Sequence, residues 1–188
     1  MTTPPAGFRV REARDDDASE LISLYDACWG GYEGMILDTE GEMVHLNHIA
    51  THYRDIGGYA WIAERHGHIA GSVAWCPTDG GGAELQMLYV MPNARRRGLA
   101  SYLVGMVERD VAGHEVLALE LWSDTRFTDA HRLYRSLGWV QLRESRYVDD
   151  LSKSTEYHFV KPGACPRESQ DVQAVDRTER GVGRRSTG

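Results

Sequence analysis

The sequence predicts an α/β domain built around a mixed sheet, and three observations lead there. Short apolar runs rich in β-branched and aromatic residues alternate with longer segments whose apolar residues recur at helical spacing. Glycine falls at most of the junctions between them. The 188 residues are also enough for one domain with a real hydrophobic core.

Phe8 to Ala13 alternates and reads as a first strand. Asp15, Asp16 and Asp17 then supply cap and first-turn carboxylates for a helix. Its apolar face is Ala18, Leu21, Ile22, Leu24, Tyr25 and Cys28, and it ends at Gly30-Gly31. Tyr32 to Gly41 reads as loop and Gly41 to Asp55 as a second helix, closed by Gly57-Gly58. That helix carries His45, His48 and His52 near one face, which could in principle ligate a metal. Nothing nearby completes the spacing and no His-Glu-x-x-His is present, so no metal is expected.

Tyr59 to Glu64 and Ile69 to Trp75 are the next two strands, joined by the hairpin Arg65-His66-Gly67-His68. Asp79-Gly80-Gly81-Gly82 turns the chain into a fourth strand, Glu84 to Val90. A helix from Arg95 to Ala112 ends at Gly113, and His114 to Trp122 is a fifth strand. Arg126 to Leu137 is a helix with Gly138 as its C-terminal cap. Trp139 to Arg143 and Thr155 to Val160 complete the strands. After Pro162 the apolar periodicity stops and Pro, Gly, Ser, Asp and Arg dominate. One domain over residues 1–161 and a disordered tail over 162–188 are therefore expected.

Composition narrows the function. A net charge of −7 argues against a nucleic-acid binder and mildly favours cationic partners. No run is long enough to span a membrane, and the polar, Pro-rich start is not a signal peptide. Cys28, Cys76 and Cys165 are scattered and odd in number, which suits reduced thiols in a cytoplasm.

The stretch with chemistry is Val90-Met91-Pro92-Asn93-Ala94-Arg95-Arg96-Arg97-Gly98-Leu99-Ala100-Ser101. It is a strand end, a tight turn and a helix start. The unpaired N–H groups and positive dipole end of a helix start attract phosphate. Gly98 and Ala100 let a ligand approach those amides, and three arginines add charge. No Gly-Lys-Ser/Thr follows, so this is not a Walker loop.

The spacing Arg95-x-x-Gly98-x-Ala100 resembles the pyrophosphate-binding motif of the GCN5-related N-acetyltransferase (GNAT) superfamily. A second match is Ala130-x-x-Leu133-Tyr134-x-x-x-Gly138-Trp139, with Phe127 where that family often has Asn. The resemblance covers roughly residues 8–161. It implies a mostly antiparallel sheet flanked by helices and splayed between the fourth and fifth strands, with acetyl coenzyme A as cosubstrate. The donor would be held by Leu88, Val90, Arg95, Arg96, Arg97, Gly98, Leu99, Ala100 and Ser101, with an oxyanion donor near Leu88. The polar contact to the pantetheine arm that Phe127 cannot make is then either missing or supplied by Ser123 or Asp124. Tyr134 matches the superfamily's general acid. Glu84, fourteen residues before Gly98, matches the acidic base of one branch, and Glu120 or water is the alternative.

The expected function is therefore direct acetyl transfer to a primary amine of a small molecule, by a monomer or homodimer with no nucleic-acid or membrane partner. A small acceptor is preferred because no recruitment module is evident. A protein amine, a longer acyl donor and a non-catalytic acyl-coenzyme A sensor are the alternatives. Trp29, Tyr32, Glu33, His48, His52 and Glu120 are the candidate acceptor contacts. Truncation after Lys161 should leave the melting temperature within a degree or two, because nothing beyond it has an apolar face to bury. A cooperative loss of several degrees in a thermal melt would show that the tail docks.

Overall fold

The computed structural model describes residues 3–163. All but the first two residues of the expected tail lie outside them. The described elements are β1 (Arg9–Glu12), α1 (Ala18–Trp29), α2 (Ile49–Asp55), β2 (Tyr59–Arg65), β3 (His68–Pro77) and β4 (Ala83–Val90), followed by α3 (Leu99–Val111), β5 (Leu119–Asp124), α4 (Thr128–Ser136), β6 (Val140–Tyr147) and β7 (Thr155–Val160).

Most expected elements are present, and the differences have local causes. The helix expected over Gly41 to Asp55 is broken. A 3-10 segment, Val44–His48, gives way to α2 at His48, whose φ of −152° and ψ of 50° are not helical. The fifth strand begins at Leu119 rather than His114, because Leu117 donates its N–H to Gly81 in a loop and is 66% exposed. The helix expected from Arg95 begins only at Leu99, since Arg95 is extended and Gly98 is left-handed. The hairpin turns on His66 and Gly67, both at positive φ (54° and 81°), as a two-residue turn between twisted strands demands.

Seven strands form one sheet in the order β1-β2-β3-β4-β5-β7-β6. Every pairing is antiparallel except that of β4 with β5, which is parallel and only two residue pairs long, Ala83 with Leu119 and Glu84 with Glu120. Beyond Glu84 the two strands part. The β3–β4 ladder shifts register between Ser72 and Ala74. There Met87 sits at φ +56° and its carbonyl accepts the Ser72 hydroxyl at 2.8 Å. This bulge puts Leu85, Leu88 and Val90 on one face, a spacing that strict alternation forbids.

Two cores lie on opposite faces. Leu99, Leu103, Val104, Val107 and Val111 of α3 pack on Val73, Trp75, Leu85, Leu121 and Phe159, with Tyr134 of α4 joining them. Leu21, Leu24, Tyr25 and Cys28 of α1 and Ile49 and Tyr53 of α2 pack on Ile62, Ile69 and Ala74. Helices α1 and α2 pack against β2, β3 and β4. No helix among the described residues is long and apolar enough to cross a membrane.

Candidate functional site

Two cavities with four lining residues in common lie where β4 parts from β5. The larger, about 570 Å³, runs from the turn before α3 along β4 and against α4. Leu88, Val90, Arg95, Arg96, Gly98, Leu99, Ala100 and Ser101 line it, whereas Arg97 is exposed and outside the lining. The first helical hydrogen bond runs from Tyr102 N–H to Gly98 O at 3.0 Å, so the N–H groups of Leu99, Ala100 and Ser101 have no partner within the helix. These three residues all line the cavity, as does Gly98, at φ +80°. A Cβ added there would meet nothing nearer than Pro5 at 3.9 Å. The arginines are not equivalent. Arg95 turns back and donates from Nε to Val90 O at 3.0 Å, which also accepts the Cys28 thiol at 3.4 Å. That thiol is pushed up by burial, an effect the Arg95 guanidinium partly offsets.

The smaller cavity, about 90 Å³, shares Leu88, Tyr89, Phe127 and Ala130 with the larger one and continues it past the fork. Its other walls include Gln86, Met87, Trp122, Asp124, Tyr134 and Glu156. Tyr134 is buried against Phe159 and Trp139, and burial alone pushes its phenol well above the ordinary value. Among the described residues its hydroxyl has no hydrogen-bond partner. Glu84 stands one residue from the wall: Gln86 Nε2 donates to Glu84 Oε1 at 3.2 Å, and Tyr53 OH donates to Gln86 Oε1 at 2.8 Å. Desolvation raises the Glu84 carboxyl; Gln86 and Arg146 pull it down less strongly, and Glu120 and Glu156 add to the rise.

Glu120, its neighbour across the parallel ladder, is engaged elsewhere. His158 Nε2 lies 3.1 Å from Glu120 Oε2 while its Nδ1 contacts Glu144. Ser123 and Asp124 line the smaller cavity but are also occupied. Ser123 Oγ meets His131 Nε2 at 3.2 Å, and Arg126 donates to both Asp124 oxygens at 2.6–2.8 Å. Phe127 stacks edge-on with Tyr32 at 5.0 Å, and both line the larger cavity. Trp29 is buried against Tyr89, Glu33 is on the exposed loop, and neither lines either of these two cavities. His45, His48 and His52 do gather, with ring centroids 4.9 and 6.4 Å apart. Burial, with His52 beside it, pulls His45 down to about 4. No group of three His, Cys, Asp or Glu among the described residues could hold a metal ion. Gln86, Trp122 and Glu156 carry no motif that would have marked them in the sequence; only the register across β4, β5 and β7 gathers them.

The acetyltransferase (GNAT) family model matches residues 19–139. A mycothiol acetyltransferase of Clavibacter sepedonicus is 29% identical over 136 residues, which span 70% of this chain and 42% of that protein. The chain thus spans less than half the length of that relative. An acetyltransferase of Streptococcus agalactiae superposes with a TM-score of 0.70 at 18% identity, over 83% of this chain and 98% of that one. A ribosomal-protein-alanine N-acetyltransferase of Brucella melitensis gives 0.65 at 20% identity, over 81% and 98%. The yncA protein of Salmonella typhimurium, solved with acetyl-CoA, gives 0.66 at 15% identity, over 89% and 99%. The three structures share the fold.

Gly98→Ala isolates the backbone requirement of the turn. With open space around the new methyl, the cost should be left-handed strain alone, about 1 kcal/mol in chemical denaturation. A stability equal to the parent's would show that the turn relaxes to negative φ at no cost.

Proposed function

The chain belongs to the GNAT family of acetyl-coenzyme A-dependent acetyltransferases, and from that premise we propose that it transfers acetyl directly to a primary amine of a small molecule. One observation carries the reading. The cavity that begins at an open, basic helix start ends at a chamber walled by a buried, unengaged phenol.

The turn fits a diphosphate. Three helix-start amides and the adjacent Arg96 present positive charge without a large side chain in the way. The thioester end would then lie along β4 near Leu88, where a backbone N–H past the fork stabilises the oxygen that becomes negative. Tyr134, kept protonated by burial, donates its proton to the departing sulfur. Glu84, more basic than an ordinary carboxylate because it is desolvated, accepts the proton of the ammonium form. Gln86 separates it from the chamber, so the proton arrives through solvent. The engagement of Glu120 by His158 favours Glu84 over it. The narrow chamber supports an amine on a slender, unbranched chain.

Free-thiol release from acetyl coenzyme A over an amine panel tests the reaction itself; no release with any amine would overturn it. Tyr134→Phe should fold normally and lower kcat on the order of a hundredfold, leaving donor KM nearly unchanged. Full kcat in the variant would make Tyr134 a packing residue. Glu84→Gln should lose most activity at low pH, where little amine is already neutral, and recover as pH rises. A loss that is uniform across pH would assign Glu84 to binding.

A further inference from the structure

The outer wall of the smaller cavity already holds a cation. Arg146 of β6 lays its guanidinium over the Trp122 ring, 4.5 Å from the centroid, and pairs through Nε with Glu156 Oε2 at 2.6 Å. Trp122 and Glu156 both line the chamber that also contains Tyr134. The Trp122 ring also stacks on His158, with centroids 4.3 Å apart and planes within 5°. An indole fixed by such a stack, next to a carboxylate, is a receptor for a positive charge.

The surroundings have the same sign. Glu84, Glu120, Glu144 and Glu156 share this face of β4 to β7 with Arg146 and His158, so carboxylates are in excess. Glu42, from the loop before α2, borders the same carboxylates: its carboxyl is raised first by burial and then by Asp150, Glu156 and Asp38. Arg146 itself is held loosely. Its side chain is 46% exposed, and an exposed ion pair with a surface cation–π contact is worth little against water.

We propose that Arg146 is an intramolecular stand-in for the acceptor, and that the acceptor is a dication: one amine reacts beside Tyr134 while a second positive group displaces Arg146 from Trp122 and Glu156. This rests on the acetyl-transfer reading above and extends it to a substrate class. The second charge acts by binding alone. Diamines and guanidino-amines have the required chemistry; acceptors with a carboxylate at the far end do not, because the floor repels them once Arg146 is neutralised by Glu156.

Three acceptors of one length separate the possibilities: 1,6-diaminohexane, hexylamine and 6-aminohexanoate, assayed by thiol release and by calorimetric binding to the coenzyme A complex. The expected order in kcat/KM is diamine first, by about tenfold or more over hexylamine, with the amino acid last. Glu156→Gln should bring the ratio of diamine to hexylamine kcat/KM toward one, chiefly by raising the diamine's KM, a split that a merely structural role would not produce. Arg146→Ala should lower the diamine's KM by about threefold or more, the worth of the displaced guanidinium's hold on the ring. Hexylamine used equally well, 6-aminohexanoate preferred, a higher diamine KM in Arg146→Ala, or no binding of any of the three would overturn the proposal. Acetyl coenzyme A binding in the same calorimeter keeps these outcomes apart from failure of the donor reading.

Discussion

The ladder between β4 and β5 stops after two residue pairs, and nearly every functional feature of the molecule follows from that stop. Paired strands run about 4.8 Å apart, which leaves no room for a ligand between them. Here the bulge at Met87 turns β4 away, and Ser72 fixes the bulge from inside the sheet with a bond to the Met87 carbonyl. A non-glycine residue at φ +56° in mid-strand is strained. The surrounding packing of Leu85, Leu88 and Val90 on α3 holds it there. Both cavities share Leu88, the first residue past the bulge.

The two ends of that opening have opposite electrostatic character. The α3 start offers backbone donors and arginines, whereas the floor of β5 to β7 offers carboxylates. An anion at the helix start and a cation at the floor would therefore each have a favourable approach and an unfavourable one.

How much of this is legible in the sequence depends on range. The strand–turn–helix around Gly98 is a local arrangement, and local residue types suffice to mark it. Leu133 and Tyr134 follow from helical spacing within one element. The break at His48 escapes a reading by composition because no helix breaker stands there; it is visible only in the backbone dihedrals. The start of β5 is misplaced by pattern alone because Val116 and Leu117 are apolar yet belong to a loop held by Gly81. Gln86, Trp122, Arg146 and Glu156 are hidden for a different reason. Each is an ordinary residue in its own strand, and only a register spanning four strands brings them to one wall.

The brevity of the β4–β5 ladder also bears on how the chain reaches its native state. Residues 9–90 hold β1 to β4 and residues 119–160 hold β5 to β7, so each half of the sheet is assembled from contacts close in sequence. Between the halves the sheet supplies two residue pairs, and the remaining adhesion comes from α3 and from Leu85, Leu121 and Phe159 packing beneath it. Such a seam divides a protein into cooperative units whose opening free energies differ. The amides flanking the fork would then exchange with solvent by a sub-global opening that spares the hairpin of β2 and β3. Low contact order within each half favours rapid early formation, and docking across the seam becomes the late event.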